Sequence, residues 1–460
     1  MFTINEIIQA TKGALIQGPS TGRVYGVCID SRLVQKGELF IAVKGEIFDG
    51  HDFIADVIAK GISVVLVHKP VLIADPRISV IHVQDTARAL GDVARFHRLR
   101  FKVPVIALTG SAGKTTTKEM MATVLGRRYK VLKNEGTQNN HIGVPLTLLK
   151  LKPGHQMVVL ECGTNQPGDI LWLADVARPD VAVFTNIGES HLEELKTPAG
   201  VLKEKWSLTA FMAKRGRIIL NADDPRLAKQ MAGARRIANV TTYGIHGKAR
   251  FLARGIVFKA GYRLEFTVGD KNIELNSCGI NNVYNALCAY ACGVLFQVPA
   301  ADIQSAFKRF EFPAGRGQIV RLGRGWLVND AYNANPVSMR SALQTLEDLT
   351  VKGKRILVAA DMLELGAKAQ ALHAAIGRAV AASSVDVLIT VGELARGMAE
   401  EAGRRKRHLH VSACTDVETA QKHLAKVLNN GDAVLVKGSR RMKMEQVVEF
   451  LLASPKGAVA

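Results

Sequence analysis

A chain of 460 residues with 48% hydrophobic and 22% charged residues is balanced for a globular protein that folds fully, and at about 150 residues per domain it divides into three. The net charge of +20 raises nucleic acid as a partner, but Lys and Arg are spread along the whole chain and cluster only briefly, as at Arg404-Arg405-Lys406-Arg407. Six cysteines without a CxxC pair argue against zinc and disulfides, and no apolar run reaches the 18 or so residues of a membrane span.

The expected class is therefore a cytoplasmic α/β protein that neither inserts into a membrane nor binds nucleic acid. Residues 1 to 10 are polar and acidic in places and lack the apolar centre of a signal peptide. Short apolar runs at Val24 to Ile29, Leu39 to Val43 and Val64 to Val67, separated by turns, read as a small α/β unit. Between them Asp30-Ser31-Arg32 and residues 44 to 51 put polar groups on loops, a pattern that serves ligand binding and ordinary turns equally well. Helical spacing from Ala87 to Leu99 leads into a basic stretch, Arg98 to Lys102, expected to be a linker.

The most informative stretch follows. A β-rich run, Pro104 to Thr109, enters Gly110-Ser111-Ala112-Gly113-Lys114-Thr115-Thr116, and a segment with Met120, Met121, Val124 and Leu125 on helical spacing leaves it. Strand, glycine loop and helix together make a phosphate cradle: the glycines allow a tight turn with inward N–H groups, and the helix contributes the positive end of its dipole. Lys114 can reach terminal phosphates, and the Thr115 hydroxyl is a hard ligand suited to Mg²⁺. Two later apolar runs, Met157 to Leu160 and Val181 to Phe184, also end in polar clusters, Glu161 to Asn165 and Thr185 to His191. In a parallel sheet such strand ends share one crevice, so Thr109, Glu161 and Asn186 are expected to open onto it, with Glu161 and His191 as metal-ligand candidates.

Asn139 and Asn140 could donate and accept along an extended polar ligand. The amides of Asn281, Asn282 and Asn285 open an alanine-rich helix, where they could meet a base edge or simply cap the helix. After a break at Phe312 to Gly317, runs at Trp326 to Val328, Arg355 to Ala359, Val385 to Val391 and Ala433 to Val436 alternate with helical segments. Their ends carry Asn329 to Pro336, Asp361 to Gly366 and Lys437 to Arg440, implying a second ligand-facing edge.

Taken together, Thr109 to Thr115, Asn139 to Pro145 and Asp330-Ala331-Tyr332-Asn333-Ala334-Asn335-Pro336 resemble the Mur ligases of bacterial cell-wall synthesis, over essentially the whole chain. The resemblance implies an N-terminal domain for a UDP-linked substrate (residues 1–100), a central P-loop ATPase with a mostly parallel sheet (101–313) and a C-terminal Rossmann-like domain (314–460). The 330–336 segment is most similar to that of the member adding D-alanyl-D-alanine to a UDP-N-acetylmuramoyl tripeptide. The Asp-Asn-Pro-Arg pattern of the preceding ligase in that pathway is absent. That ligase and the folylpolyglutamate synthases are the alternative reading.

The resemblance further implies ATP and Mg²⁺, held by Thr109 to Thr116, Glu161 and His191, and a carbamylated Lys205 as an additional metal ligand. Arg316 and Asp330 would reach the nucleotide from the C-terminal domain, beside Asn282 and Asn285. Ser31 and Arg32 match a uridine-side motif, and Asn139, Asn140, Thr164, Asn333 and Asn335 fall on the substrate side. A monomer is expected. One departure is Asn281, where the family usually has histidine.

Overall fold

The computed structural model describes residues 2–45, 47–259 and 262–453; Met1 of the N-terminal stretch and Glu46 of the polar loop 44–51 lie outside the described residues. Three sheets of five, nine and six strands follow one another along the chain, each mostly parallel and flanked by helices.

The first sheet runs in the order Ala14–Gln17, Ser79–His82, Val64–Val67, Glu38–Ile41, Gly26–Cys28, antiparallel only at the first pair. Its inner strands are unbroken apolar runs because both faces are covered: Leu39, Ile41, Val64 and Leu66 enter one core and Phe40, Val65 and Val67 the other. The helix Thr86–Leu99 then packs on the central domain rather than ending in a free linker. Arg98 is buried there, donating to the carbonyls of Ala177 (3.2 Å) and Phe101 (2.9 Å) and pairing with Asp180 (3.3 Å), so the basic connection to Val105–Thr109 is anchored at its first residue. A buried guanidinium persists only where such acceptors meet it.

The central sheet places Val105–Thr109 between Met157–Glu161 and Val181–Phe184, all parallel, with Glu161 level with Leu108 and Phe184 level with Thr109. The chain leaves Val105–Thr109 toward one edge, Val131–Lys133, and later returns to the opposite side at Val181–Phe184, so the loop after Thr109 stands where the winding reverses. The helix Lys114–Leu125 buries Met120, Met121, Val124 and Leu125 against one face of this sheet, as their spacing requires. The β-rich interval near residues 250–275 forms an antiparallel meander, Phe251–Lys259, Arg263–Val268 and Lys271–Asn276, that lengthens the sheet.

The third sheet runs Gln318–Leu322, Gly325–Asp330, Ala433–Lys437, Arg355–Ala360, Val387–Val391, His410–Cys414. Its two edge strands escaped the sequence reading because each is half-exposed and carries no apolar run. No described helix is long and apolar enough to cross a membrane.

Candidate active site

The carboxyl edge of the central sheet and that of the C-terminal sheet face each other across a cavity of about 760 Å³. From the central domain Ser111 to Thr116, Glu161, Thr164, Asn186 and His191 line it; from the C-terminal domain come Arg316, Asp330, Tyr332, Asn333, Asn335, Glu364 and Lys437. Thr109 and Gly110 stand behind this lining. Thr109 is fully buried, and a Cβ on Gly110 would fall 1.8 Å from the Thr185 hydroxyl, so that glycine serves strand packing.

Gly113 (φ +78°) starts the helix in the left-handed region, where a side chain would be strained and would press on Asn285 Oδ1 at 2.6 Å. Asn186 clasps the loop: its carbonyl accepts from the Ser111 N–H (3.0 Å), and its Oδ1 accepts from the Ala112 N–H (2.9 Å). Lys114 Nζ donates to the Gly110 carbonyl at 2.9 Å. Burial lowers its pKa, Glu161 opposes that shift, and Arg316 reinforces it. Two cations and a carboxylate thus converge on the loop from two domains.

Glu161 is buried at the end of its strand; Oε1 accepts from Asn139 Nδ2 at 2.7 Å, while Oε2 has no partner. Lys205, on the helix Pro198–Trp206, is wholly buried and its Nζ has no hydrogen-bond partner. Burial, followed by the neighbouring Lys114, drives its pKa well below the usual lysine value against the pull of Glu204 and Glu161. A surface lysine on a solvated helix is therefore ruled out. Glu204 is fixed elsewhere, accepting from the N–H groups of Gly168 (2.8 Å) and Ile170 (2.7 Å) at the start of the helix Asp169–Ala177.

That helix start shapes the rim carrying Thr164 and Asn165. Asp169 accepts from the N–H groups of Asn165 (2.8 Å) and Gln166 (3.0 Å) and lies 3.2 Å from His141. Burial alone would raise its pKa, but His141 and the two N–H groups outweigh burial and bring it down to about 2. Because the folded pKa lies below the ordinary carboxylate value, its stabilisation is complete above that value and is lost as pH falls through about 2. Asp169→Asn is expected to cost about 1–2 kcal/mol near neutrality, with the urea midpoints of variant and parent converging toward pH 2.

Several amides are engaged within the chain itself. Asn140 Oδ1 accepts from the N–H groups of Ile142 (3.2 Å) and Gly143 (3.0 Å) just before the helix Gly143–Leu149, and Asn140 stands outside the cavity lining. Asn282 Nδ2 donates to Ser277 Oγ (2.7 Å) and its Oδ1 accepts from Asn285 (3.1 Å), whose Oδ1 accepts from Thr117 (3.0 Å). This pair ties two helices together, and Asn281 is the neighbouring amide that also lines the cavity. Asn335 caps the helix Pro336–Asp348 through Oδ1 and donates from Nδ2 to the Ser111 carbonyl (3.1 Å), joining the domains. Asn333 Oδ1 accepts from the Ala334 N–H at 2.9 Å.

Tyr332 and Lys437 belong to the clusters expected at the second ligand-facing edge but carried no individual role, and Thr137 was not chosen from sequence. The Arg316 guanidinium lies 3.8 Å from the centre of the Tyr332 ring, and the Tyr332 hydroxyl donates to Thr137 Oγ1 (2.7 Å) across the domain boundary. Lys437, buried at its strand end, donates to Asp330 Oδ2 (2.5 Å) and the Asn333 carbonyl (2.9 Å), holding Asp330 in place. Ser31 and Arg32 lie far along the chain, on a loop of the first sheet and outside the cavity lining; Arg32 is exposed and pairs with Asp30 (2.7 Å).

Three family models divide the chain: Mur ligase family, catalytic domain, at residues 23–98; Mur ligase middle domain at 108–293; and Mur ligase, glutamate ligase domain, at 315–440. The chain belongs to the Mur ligase family. A relative from Bacillus subtilis (strain 168), UDP-N-acetylmuramoyl-tripeptide–D-alanyl-D-alanine ligase, is 34% identical over 98% of this chain and 99% of its own length. Among solved structures, MurF from Acinetobacter baumannii matches with a TM-score of 0.89 at 30% identity, covering 98% of this chain and 99% of that one. MurF ligase from Thermotoga maritima in complex with ADP matches with a TM-score of 0.82 at 27% identity, covering 93% and 97%. In this Mur ligase the loop Ser111–Thr115 and the carboxyl edge of the C-terminal sheet line one cavity.

Proposed function

We infer that this Mur ligase joins D-alanyl-D-alanine to the terminal carboxylate of a UDP-N-acetylmuramoyl tripeptide at the expense of ATP, in peptidoglycan precursor synthesis. The observation carrying this reading is the phosphate loop Gly110–Thr115 sharing one cavity with the 330–336 segment, in a chain matched end to end by a relative of that activity.

A carboxylate is a poor electrophile until one of its oxygens becomes a leaving group. Transfer of the γ-phosphoryl group of ATP to that oxygen gives an acyl phosphate and ADP; the dipeptide amine, having lost its proton, then adds to the acyl carbon. Collapse of the tetrahedral adduct expels phosphate and leaves the amide. The N–H groups opening the helix at Lys114, with Lys114 itself, would hold the phosphates and offset charge developing in transfer. Arg316 would approach the same phosphates from the other side. The domain contacts through Tyr332 and Asn335 would exclude water, which otherwise hydrolyses an acyl phosphate.

The donor set fits a hard divalent cation: Glu161 leaves Oε2 unpartnered, Thr115 offers a hydroxyl, and His191 and Lys205 lie beside them. Mg²⁺ bound there would neutralise phosphate charge. A neutral buried amine such as Lys205 adds to CO₂ through its lone pair, forming an N–C bond and releasing a proton, to give a carbamate anion. We assign Asp330 to the nucleotide, Asn333 and Thr164 to the peptide substrates, and Ser31 and Arg32 to the uridine end. Asn335, Asn282 and Asn285 support the site through the bonds described above. We take the monomer as the working unit, acting in the cytoplasm where ATP is available.

Phosphate release from ATP, followed with the UDP-linked tripeptide and each amino compound in turn, tests the reading. Release and product formation are expected with D-alanyl-D-alanine; product with lysine or diaminopimelate but none with the dipeptide would move the chain to the preceding ligase type.

A further inference from the structure

We propose that Tyr332 is a positioning residue for Arg316. Its ring carries the Arg316 guanidinium, and its hydroxyl, bonded to Thr137 of the central domain, fixes where that cation stands relative to the phosphate loop. The guanidinium carbon lies 3.8 Å from the centre of the Tyr332 ring, and the hydroxyl donates to Thr137 Oγ1 at 2.7 Å. Arg316 is half-buried, yet among the described residues its side chain makes no hydrogen bond or ion pair. The ring is therefore the direct support of the guanidinium, and its N–H donors remain free for an anion in the cavity that Arg316 lines.

The backbone keeps the two residues in step. The Tyr332 N–H donates to the Gly315 carbonyl at 3.2 Å and the Gly317 N–H to the Asn329 carbonyl at 3.0 Å, so the turn carrying Arg316 is tied on both sides to the segment carrying Tyr332. A Cβ on Gly315 (φ +72°) would come 3.3 Å from Tyr332 Cβ, so that turn lies close against the tyrosine. Across the domain boundary, Thr137 belongs to a loop that is held as firmly. Lys118, wholly buried in the helix Lys114–Leu125, donates from Nζ to the carbonyls of Asn134 (2.6 Å) and Gly136 (3.0 Å). Asn134, also buried, donates to the Gln138 carbonyl (2.8 Å) and accepts from the Glu161 N–H (2.9 Å). The anchor of the Tyr332 hydroxyl is thus braced by the helix that opens at the phosphate loop.

The chemical consequence lies in how a guanidinium is held. Stacked on a ring, it keeps a fixed plane while its donors stay free, which suits paired contacts to phosphate oxygens. Without that platform the long side chain spreads over many rotamers, and each productive approach to the phosphates costs conformational entropy. Arg440 also approaches the ring, but from 5.4 Å and while paired with Glu445 at 2.9 Å. Arg316 is therefore the cation that the ring serves. Because Thr137 and Tyr332 belong to different domains, Arg316 is fully set only where the C-terminal domain is docked on the central one.

This inference rests on reading Arg316 as a group at the ATP phosphates, and the test separates the two. kcat and KM are measured for the full-length protein, Tyr332→Phe, Tyr332→Leu, Thr137→Val, the Tyr332→Phe/Thr137→Val pair and Arg316→Ala, and for each Tyr332 change in the Arg316→Ala background. D-alanyl-D-alanine is the amino compound; if the parent makes no product with it, the proposed function fails and the same set is run with the amino compound the parent does use. Tyr332→Phe and Thr137→Val delete the hydroxyl contact and keep the ring, so each is expected to lower kcat about 2- to 10-fold, and the pair no further. Tyr332→Leu removes the ring as well and should lower kcat about 10- to 100-fold, with little change in KM for the nucleotide-linked substrate. In the Arg316→Ala background neither Tyr332 change should lower kcat further. A tyrosine that merely held the domains together would raise KM and cost as much with Arg316 absent as with it present. An unchanged kcat in either Tyr332 variant, or a full additional loss in the Arg316→Ala background, would overturn the proposal while leaving the role of Arg316 intact. A parental kcat in Arg316→Ala would overturn that role and the proposal with it. Should Tyr332→Leu not fold, Tyr332→Phe and its behaviour in the Arg316→Ala background decide.

Discussion

Lys114→Ala is expected to lose nearly all ligation in a protein that still folds. The side chain projects from the first residue of the helix Lys114–Leu125 and donates only to the Gly110 carbonyl within its own loop, at 2.9 Å. Its removal opens no apolar core, since the helix is held by Met120, Met121, Val124 and Leu125, and alanine favours helix more than lysine does. The loss falls on chemistry. Burial lowers the Lys114 pKa and Glu161 works against that effect, the setting in which an added phosphate anion would favour the ammonium form. A charge-assisted donor that follows the phosphoryl group is worth about 2–4 kcal/mol in the transition state, roughly a 30- to 1,000-fold loss in kcat. Thermal melting and steady-state phosphate release on the same preparation check both halves; near-normal turnover in a folded variant would remove Lys114 from the machinery.

The parts of this site that were legible in the sequence are those whose chemistry is local. Gly110 to Thr115 announces itself because turn, donor loop and helix start all lie within a few residues, and Glu161 and His191 follow from the rule that parallel strand ends converge. Amides were harder, because an amide both donates and accepts. Asn140 bonds the N–H groups of Ile142 and Gly143, Asn335 caps a helix, Asn282 and Asn285 bond each other and Asn139 donates to Glu161, yet in sequence all of them look alike. Contacts between domains were not legible at all. Tyr332 meets Thr137 over 195 positions, and no local pattern encodes that pairing. The edge strands Gln318–Leu322 and His410–Cys414 were lost for a simpler reason: with one side open to solvent they need no apolar run. In the basic stretch Arg98 to Lys102 charge suggests solvent throughout, whereas Arg98 finds two carbonyls and Asp180 inside the protein.

Lys205→Ala is expected to lose most activity and, unlike Lys114→Ala, to be partly rescued by small carboxylates in solution. From composition alone a lysine in Glu204-Lys205-Trp206 belongs at the surface. Its Nζ is instead buried without a hydrogen-bond partner, and burial with the nearby Lys114 disfavours its charged form. An unpartnered ammonium beside Lys114 would be costly and would repel a divalent cation, whereas the neutral amine is the form that reacts with CO₂. The resulting carbamate would place an anionic pair of hard oxygens beyond the lysine stem, where Lys114 and a cation could both meet it. Lys205→Glu should restore little, because its carboxylate stops short of that position. Truncation to alanine leaves room for the missing anion, so acetate or propionate should raise the activity of Lys205→Ala while leaving Lys205→Glu unchanged. Removing CO₂ should lower the activity of the parent protein and bicarbonate should restore it, with Lys205→Ala indifferent to both. Full activity of Lys205→Ala in CO₂-depleted buffer would be incompatible with a carbamate at this position.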